Sequence, residues 1–202
     1  MTISRQIRTV RAAAAAAAAA LAVSLGTLQA ADRGPAGKGP APAVSVVGRD
    51  GAYRIDGSFS VDAPAAVVWD VLTDYDRLPS FVSSMRSSTS TRDASGRLLV
   101  TQEAVGRAGP FSRTLHVVLE VEEEAPDRIA FRDVCGGSFH SYAGVWTIDA
   151  DGAGVLVSYE LRARPLSSPP LLGRSILASN ARGLLGEVRL EILRRGLAAG
   201  AE

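Results

Sequence analysis

From Met85 to Ala163 the chain reads as strand after strand, with connecting stretches too short for a helix to cross between them. Phe111 to Glu123 shows the pattern best. Leu115, Val117, Leu119 and Val121 alternate with Thr114, His116, Glu120 and Glu122, the period of a strand with one dry face. Met85 to Arg92, Leu98 to Arg107, Arg128 to Cys135, Phe139 to Ile148 and Val155 to Ala163 are its expected companions. Asp93-Ala94-Ser95-Gly96 and Gly136-Gly137 supply turn chemistry between them. Strands joined this closely must pair antiparallel, because a parallel connection needs a crossover of about a dozen residues or more. The chain is thereby committed to an antiparallel meander with an apolar face to cover.

The cover must come from the segments on either side. Pro165, Pro169 and Pro170 end the sheet, and from Leu171 the period turns helical. Leu177, Ala181, Leu184, Leu185, Val188 and Ile192 share one stripe, and Arg182, Glu187, Arg189 and Arg194 lie mostly away from it. Gly183 and Gly186 sit inside this helix, where each is unfavourable by about 1 kcal/mol relative to alanine. A close packing contact or a ligand is the expected compensation. Upstream, Val44 to Val47 and Tyr53 to Val61 read as a hairpin around Arg49-Asp50-Gly51. The segment "VDAPAAVVWDVLTDYDRLPSFVSSM", Val61 to Met85, then supplies two short helices. Asp62 is the expected cap of the first, with Pro64 in its opening turn and Val67, Val68, Val71 and Leu72 on its stripe. Asp76 is the expected cap of the second, which runs through Leu78 and Phe81. A curved sheet wrapped on one long helix leaves a cavity between them, and two short helices can close one end of it.

That order of elements resembles the helix-grip, START-like superfamily, and within it the polyketide cyclase/dehydrase and coenzyme Q-binding branch. The resemblance is carried by "VDAPAAVVWDVLTDYDRLPSFVSSM", by "SYAGVWTI" followed by "GVLVSYEL", and by "RPLSSPPLL" leading into the last helix. It covers Val44 to about Leu197. It implies an α+β helix-grip fold: a curved antiparallel sheet around a long C-terminal helix, two short helices after the first strands, and an internal hydrophobic cavity. It implies no reaction, because one scaffold of this kind hosts carriers, sensors and enzymes.

The first 30 residues read as a secretory leader. Arg5, Arg8 and Arg11 precede a run of small and apolar residues from Ala12 to Leu28, and Leu28-Gln29-Ala30 suits cleavage. Residues 31–43 form a Gly/Pro-rich linker, and residues 44–200 form the helix-grip domain. The expected location is therefore periplasmic or secreted. Beyond the leader the chain carries 19 basic and 21 acidic residues, which gives no basic footprint for nucleic acid. Cys135 is the only cysteine, so no internal disulfide can form, and within a strand it reads as a small buried hydrophobe.

No metal-binding spacing, phosphate loop or nucleophile motif is present in the sequence, and neither a cofactor nor a catalytic residue is assigned. His116 and His140 lack a second ligand at a useful spacing. Asp74 and Asp76, either side of Tyr75, are best explained as helix and turn caps. The candidate ligand-binding residues line the expected cavity or its mouth. They are Phe81, Met85, Phe131, Tyr142, Trp146, Tyr159, Leu177, Leu184 and Val188. His140, Tyr142 and Trp146 alternate along one strand; Glu103, Arg132 and Tyr159 are candidate polar anchors, with a solvated face the better reading for Arg132 and ordinary core packing for His140. The mouth is expected between Leu78, Phe81, Val82 and Met85 on one side and Leu166, Leu171 and Leu172 on the other.

The function this supports is an exported carrier or chaperone for a hydrophobic small molecule, a lipid or isoprenoid quinone, with transient membrane contact at the mouth. An aromatase/cyclase acting on a polyketide-like chain is the enzyme alternative, and it needs an acid or base that the cavity does not obviously supply. An interaction domain with a vestigial cavity is the third. The leader reading has a direct check. N-terminal sequencing of exported protein should find a start near Ala31, and an intact Met1 in a membrane pellet would make the segment an anchor.

Overall fold

The computed structural model describes residues 40–108, 111–150, 154–166 and 174–199. The expected leader, most of the linker, Leu171 and Leu172 lie outside these residues. Two strands open the domain, β1 (Ala43–Arg49) and β2 (Ala52–Val61). Asp50 and Gly51 join them with φ of 51° and 77°. Two successive left-handed residues match the twist of a tight hairpin, and Asp-Gly tolerates them. Helix α1 (Ala65–Leu72), a 3-10 turn (Tyr75–Arg77) and helix α2 (Leu78–Phe81) follow. Six strands come next: β3 (Met85–Arg92), β4 (Leu98–Ala108), β5 (Phe111–Glu124), β6 (Arg128–Asp133), β7 (Phe139–Ala150) and β8 (Val155–Pro165). Helix α3 (Arg174–Ala199) closes the domain.

The eight strands form one antiparallel sheet in the order β1-β2-β8-β7-β6-β5-β4-β3. The meander from β3 to β8 returns to the opening hairpin, where β8 pairs with β2 from Tyr53↔Ala163 to Val61↔Val155. The inner face buries Ile55, Phe59, Val100, Val117, Leu119, Val121, Ile129, Ile148, Val157 and Leu161. Val68, Val71 and Leu72 of α1 and Ala181, Leu185, Val188 and Ile192 of α3 complete this core. The helix-grip architecture is therefore the one present.

Helix α3 seats on β1, β2 and α1. Leu185 packs directly on Gly57 of β2. A Cβ on Gly57 would stand 2.5 Å from Leu185 Cδ1, so glycine alone lets the helix settle this deep. Arg189, expected on the outer side, is buried and donates from Nε to the Ser60 carbonyl at 3.1 Å. Glu191 is buried as well, between Arg194 and Arg195. Close packing is not the compensation for Gly183 and Gly186, because a Cβ at either would meet nothing within 4 Å.

Other local expectations are corrected. Pro64, not Asp62, is the N-cap of α1, and no side chain caps it; the Pro64 carbonyl accepts from the Val67 and Val68 amides. Asp76 caps nothing: its carboxylate accepts the Ser90 amide at 2.6 Å and the Ser90 hydroxyl at 3.0 Å, tying the elbow to β3. Cys135 is exposed, because β6 stops at Asp133. The Asp133 carboxylate there accepts from the amides of Val118, Cys135 and Gly136 and turns the chain away from the sheet. Glu120, on the outer face as expected, is nonetheless buried beneath Arg97 and Arg132.

Because Gly57 sets the depth of α3, Gly57→Val should destabilise the fold by about 1–3 kcal/mol through overpacking. Leu185→Ala alone should remove about 2–5 kcal/mol. Combined, the two should cost clearly less than their sum in denaturant melts, since each relieves the other's misfit.

Candidate functional site

Strands β6, β7 and β8 carry five of the chain's eleven aromatic residues, and their register gathers these five rings on the inner face. Ile129 lies opposite Trp146, Phe131 opposite Gly144, and Trp146 opposite Tyr159. Ring centroids stand 4.4 Å apart for Trp146 and Tyr159, 6.4 Å for Phe131 and Tyr159, 5.9 Å for Phe131 and Tyr142, and 4.7 Å for Phe139 and Tyr142. Such offset and tilted contacts are favourable beyond the area they bury. Gly144 makes the arrangement possible: a Cβ there would come within 2.5 Å of the Phe131 ring and 2.4 Å of the Glu160 carbonyl. Phe131, Tyr142 and Trp146 are half-buried, whereas Tyr159 is fully buried.

Sequence alternation placed His140 on this face, and the strand does not. The β7–β8 register shifts between Phe139 and Ser141, so one extra residue bulges out of the ladder. His140 is exposed and Phe139 takes the inward place beside Tyr142. Glu103 is exposed on the outer face, 4.0 Å from His116. Arg132 is also outside, paired with Glu120 at 2.8 Å. Of the three candidate polar anchors only Tyr159 points inward.

The Tyr142 and Tyr159 hydroxyls are hydrogen-bonded to each other. Burial pushes both phenols above their ordinary value, Tyr159 the further. Both are therefore neutral at pH 7, and the wall presents polar tips without charge.

The remaining predicted residues lie on α3 and where α2 meets β3. Val188 is buried in α3, and Leu177 and Leu184 are half-buried on the flank of the same stripe. Phe81 and Met85 are half-buried where α2 meets β3, beside Leu78. Val82, expected at the mouth, is 1% exposed and belongs to the core. Leu166 is exposed at the end of β8.

A polar clasp holds the elbow between α1 and β3, and the sequence did not reveal it. Neither the 3-10 turn nor α2 has a buried residue. Arg195 of α3 donates to Asp74 at 2.7 Å and to Glu191 at 2.7 Å, and its guanidinium lies 5.7 Å from the centre of the Phe81 ring. The Glu187 carboxylate accepts the Ser83 amide at 3.0 Å, and the Tyr75 hydroxyl donates to Glu123 at 2.8 Å. Asp74 holds the N-cap position of the 3-10 turn, where its carbonyl accepts the Arg77 amide, but its carboxylate serves the tertiary contact and makes no cap bond. The i, i+3 and i, i+4 spacing of Glu191 with Arg194 and Arg195 was the one legible signal. The reach to Asp74, 121 residues away in the chain, was not.

An open groove of about 620 Å³ lies on the other side of the sheet, over β1, β2, β8 and β7. Ser45, Ser58, Thr147 and Ser158 line it, with Asp56 and Glu160. Val44, Val145 and Tyr159 share it with these polar groups, so its lining is mixed, and it lies open to solvent instead of enclosed by the fold.

A family model described as polyketide cyclase / dehydrase and lipid transport matches residues 52–198. Among solved structures, a STAR-related lipid transfer protein fragment from Xanthomonas axonopodis is 19% identical with a TM-score of 0.58. That match covers 78% of this chain and 96% of the other. The Zhui aromatase/cyclase from Streptomyces sp. R1128 is 19% identical with a TM-score of 0.59, covering 74% and 98%. A START superfamily protein from Mycobacterium smegmatis is 15% identical with a TM-score of 0.54, covering 72% and 98%. These likenesses are of fold. No curated protein matches the chain.

The clasp sets an acid limit on stability. Arg194 first, and then Arg195, hold the Glu191 carboxyl at about 2, against the opposing effect of burial. A depressed carboxyl stabilises the fold above its unfolded value, near 4.5, and loses that contribution as pH falls toward 2. The melting temperature should drop across this window, and Glu191→Gln should lower it at neutral pH while flattening the acid slope.

Proposed function

The chain belongs to the polyketide cyclase/dehydrase and lipid transport family, and on that premise we propose that it holds a hydrophobic small molecule between α3 and the aromatic wall, as a carrier or chaperone. The observation that carries this reading is the half-buried state of Phe131, Tyr142 and Trp146 on the inner face. The main contacts of α3 are with β1, β2 and α1, on the other half of the sheet. Aromatic side chains left partly uncovered inside a fold have apolar area to offer a ligand, and burial is worth about 25 cal/mol per Å². Tyr142 and Tyr159 add neutral hydroxyls that suit a carbonyl or ring oxygen, as in a quinone or lipid head. Leu177, Leu184 and Val188 form the facing wall. Phe81 and Met85 stand at the end closed by the elbow, where transient membrane contact would serve exchange. Export by the leader completes the proposal, with a lipid or isoprenoid quinone as the cargo class.

A second reading has one observation in its favour. A hydrogen-bonded tyrosine pair inside an apolar pocket can donate protons, as an aromatase/cyclase would require. Both hydroxyls are held neutral, so neither is a base at pH 7.

Two measurements separate these readings. Protein purified from its own host should carry an apolar molecule at one per chain, identified by native mass spectrometry and organic extraction. An empty protein that also fails to bind added lipid or quinone would sink the carrier reading. Phe131→Ala should weaken binding of a fluorescent fatty acid about tenfold, a loss near 1.4 kcal/mol. Tyr142→Phe should leave that binding nearly unchanged. If Tyr142→Phe instead abolishes turnover of a polyketide-like substrate, the protein is an enzyme.

A further inference from the structure

The two edges of the sheet are treated differently. Strand β3 is a guarded edge. Its register shifts between Met85 and Ser87, it carries Arg86 and Arg92, and the Asp76 carboxylate occupies the Ser90 amide. Bulges, charges and covering segments are how proteins keep an edge from pairing. Strand β1 has no bulge against β2, and its one charge is Arg49 at its end. Ala43 to Gly48 carries no charge and no proline, and among the described residues β2 is its only strand partner. Val47 stands 59% exposed on it.

Beside that edge, α3 presents an unmet flank. Leu185 faces Gly57 of β2. Arg195, turned to one side, reaches Asp74 and the elbow, and α1 on that side contacts β7. In the strand order β7 lies beyond β2 from β1, so the opposite side of α3 overlooks the β1 edge. Helical spacing puts Arg182, Gly186 and Leu193 on this opposite flank, with Gly183, Leu190 and Leu197 on the solvent side next to it. The two glycines face open space, and Leu190 and Leu197 are 62% and 73% exposed.

We propose that this flank is the interface of a homodimer, in which β1 pairs antiparallel with β1 of a second copy and the two α3 helices meet above the joined sheet. A two-fold axis perpendicular to the sheet does both at once. Strands are spaced ~4.8 Å. Because α3 straddles β1 and β2, that spacing sets the two helices ~10 Å apart, at the upper end of ordinary helix packing. Glycine at the approach point suits such a distance. Pairing centred on Val46 sets Ser45 against Val47 and Ala43 against Arg49, with no like charges opposed. Seven residues of strand under a helix layer offer a flank ~24 Å long and ~20 Å high, so the pair buries ~1,000 Å² in total, the size a specific interface needs. This inference rests on the sheet and helix alone and is independent of any ligand.

Sedimentation of the purified protein across a dilution series tests it. A reversible dimer is expected. Ser45→Lys with Val47→Lys sets lysines directly opposite each other at exposed positions, and should raise the dissociation constant about tenfold or more. Gly186→Glu should weaken the dimer similarly while the dilute monomer melts no lower than wild type. A protein that stays monomeric at high micromolar concentration overturns the proposal. So does a dimer that neither change weakens. Monomers that instead pellet with anionic phospholipid vesicles, and lose this with Leu190→Glu, would assign the flank to a membrane and overturn it as well.

Discussion

Everything else in this domain depends on how deeply α3 can sit on the sheet. An eight-stranded antiparallel sheet has one broad apolar face, and here a single long helix must do most of the work of covering it. Gly57 lets Leu185 drop onto the backbone of β2, which anchors the helix over β1 and β2. The anchoring is lopsided. It fills one half of the concave face with packed aliphatic side chains and leaves the aromatic wall on β6 and β7 only half covered. A helix seated over the middle of the sheet would have consumed that wall as core.

The elbow inherits its character from the same placement. Helix α1 is fixed by burial of Val68, Val71 and Leu72. The 3-10 turn and α2 only half-bury Tyr75, Leu78 and Phe81, and are also held by Arg195, Glu187, Glu123 and Asp76 through directional polar contacts. Most of these ties are exposed and individually weak in water, and only Arg195–Asp74 is partly buried, so a segment held this way opens at lower free energy than one held by its core.

Much of this was legible from the residues. The alternation in Phe111 to Glu123 placed Leu115, Val117, Leu119 and Val121 inward, and they are inward, with Leu115 half-buried. Asp50-Gly51 announced the opening hairpin, and Leu185, Val188 and Ile192 announced the dry stripe of α3. Where alternation misled, the cause was a single inserted residue. The bulge near His140 exchanged it for Phe139, and no propensity marks a bulge that pairing with β8 creates. Cys135 misled because its strand ended two residues sooner than its composition implied, at a carboxylate that collects three amides.

By itself the sequence determined the elements, their antiparallel order and the residues that must be dry, because these follow from local periodicity and from turns too short for any other connection. Tertiary structure decided which polar groups are partners. Asp74 and Asp76 read as caps because capping is the nearest use for a carboxylate beside a helix. They became a clasp and a strand tie only when folding brought Arg195 and Ser90 within hydrogen-bonding distance. Periodicity reports the direction in which a side chain points; what it meets there depends on a neighbour that, for Asp74, is 121 residues away, and only the packed chain sets that distance.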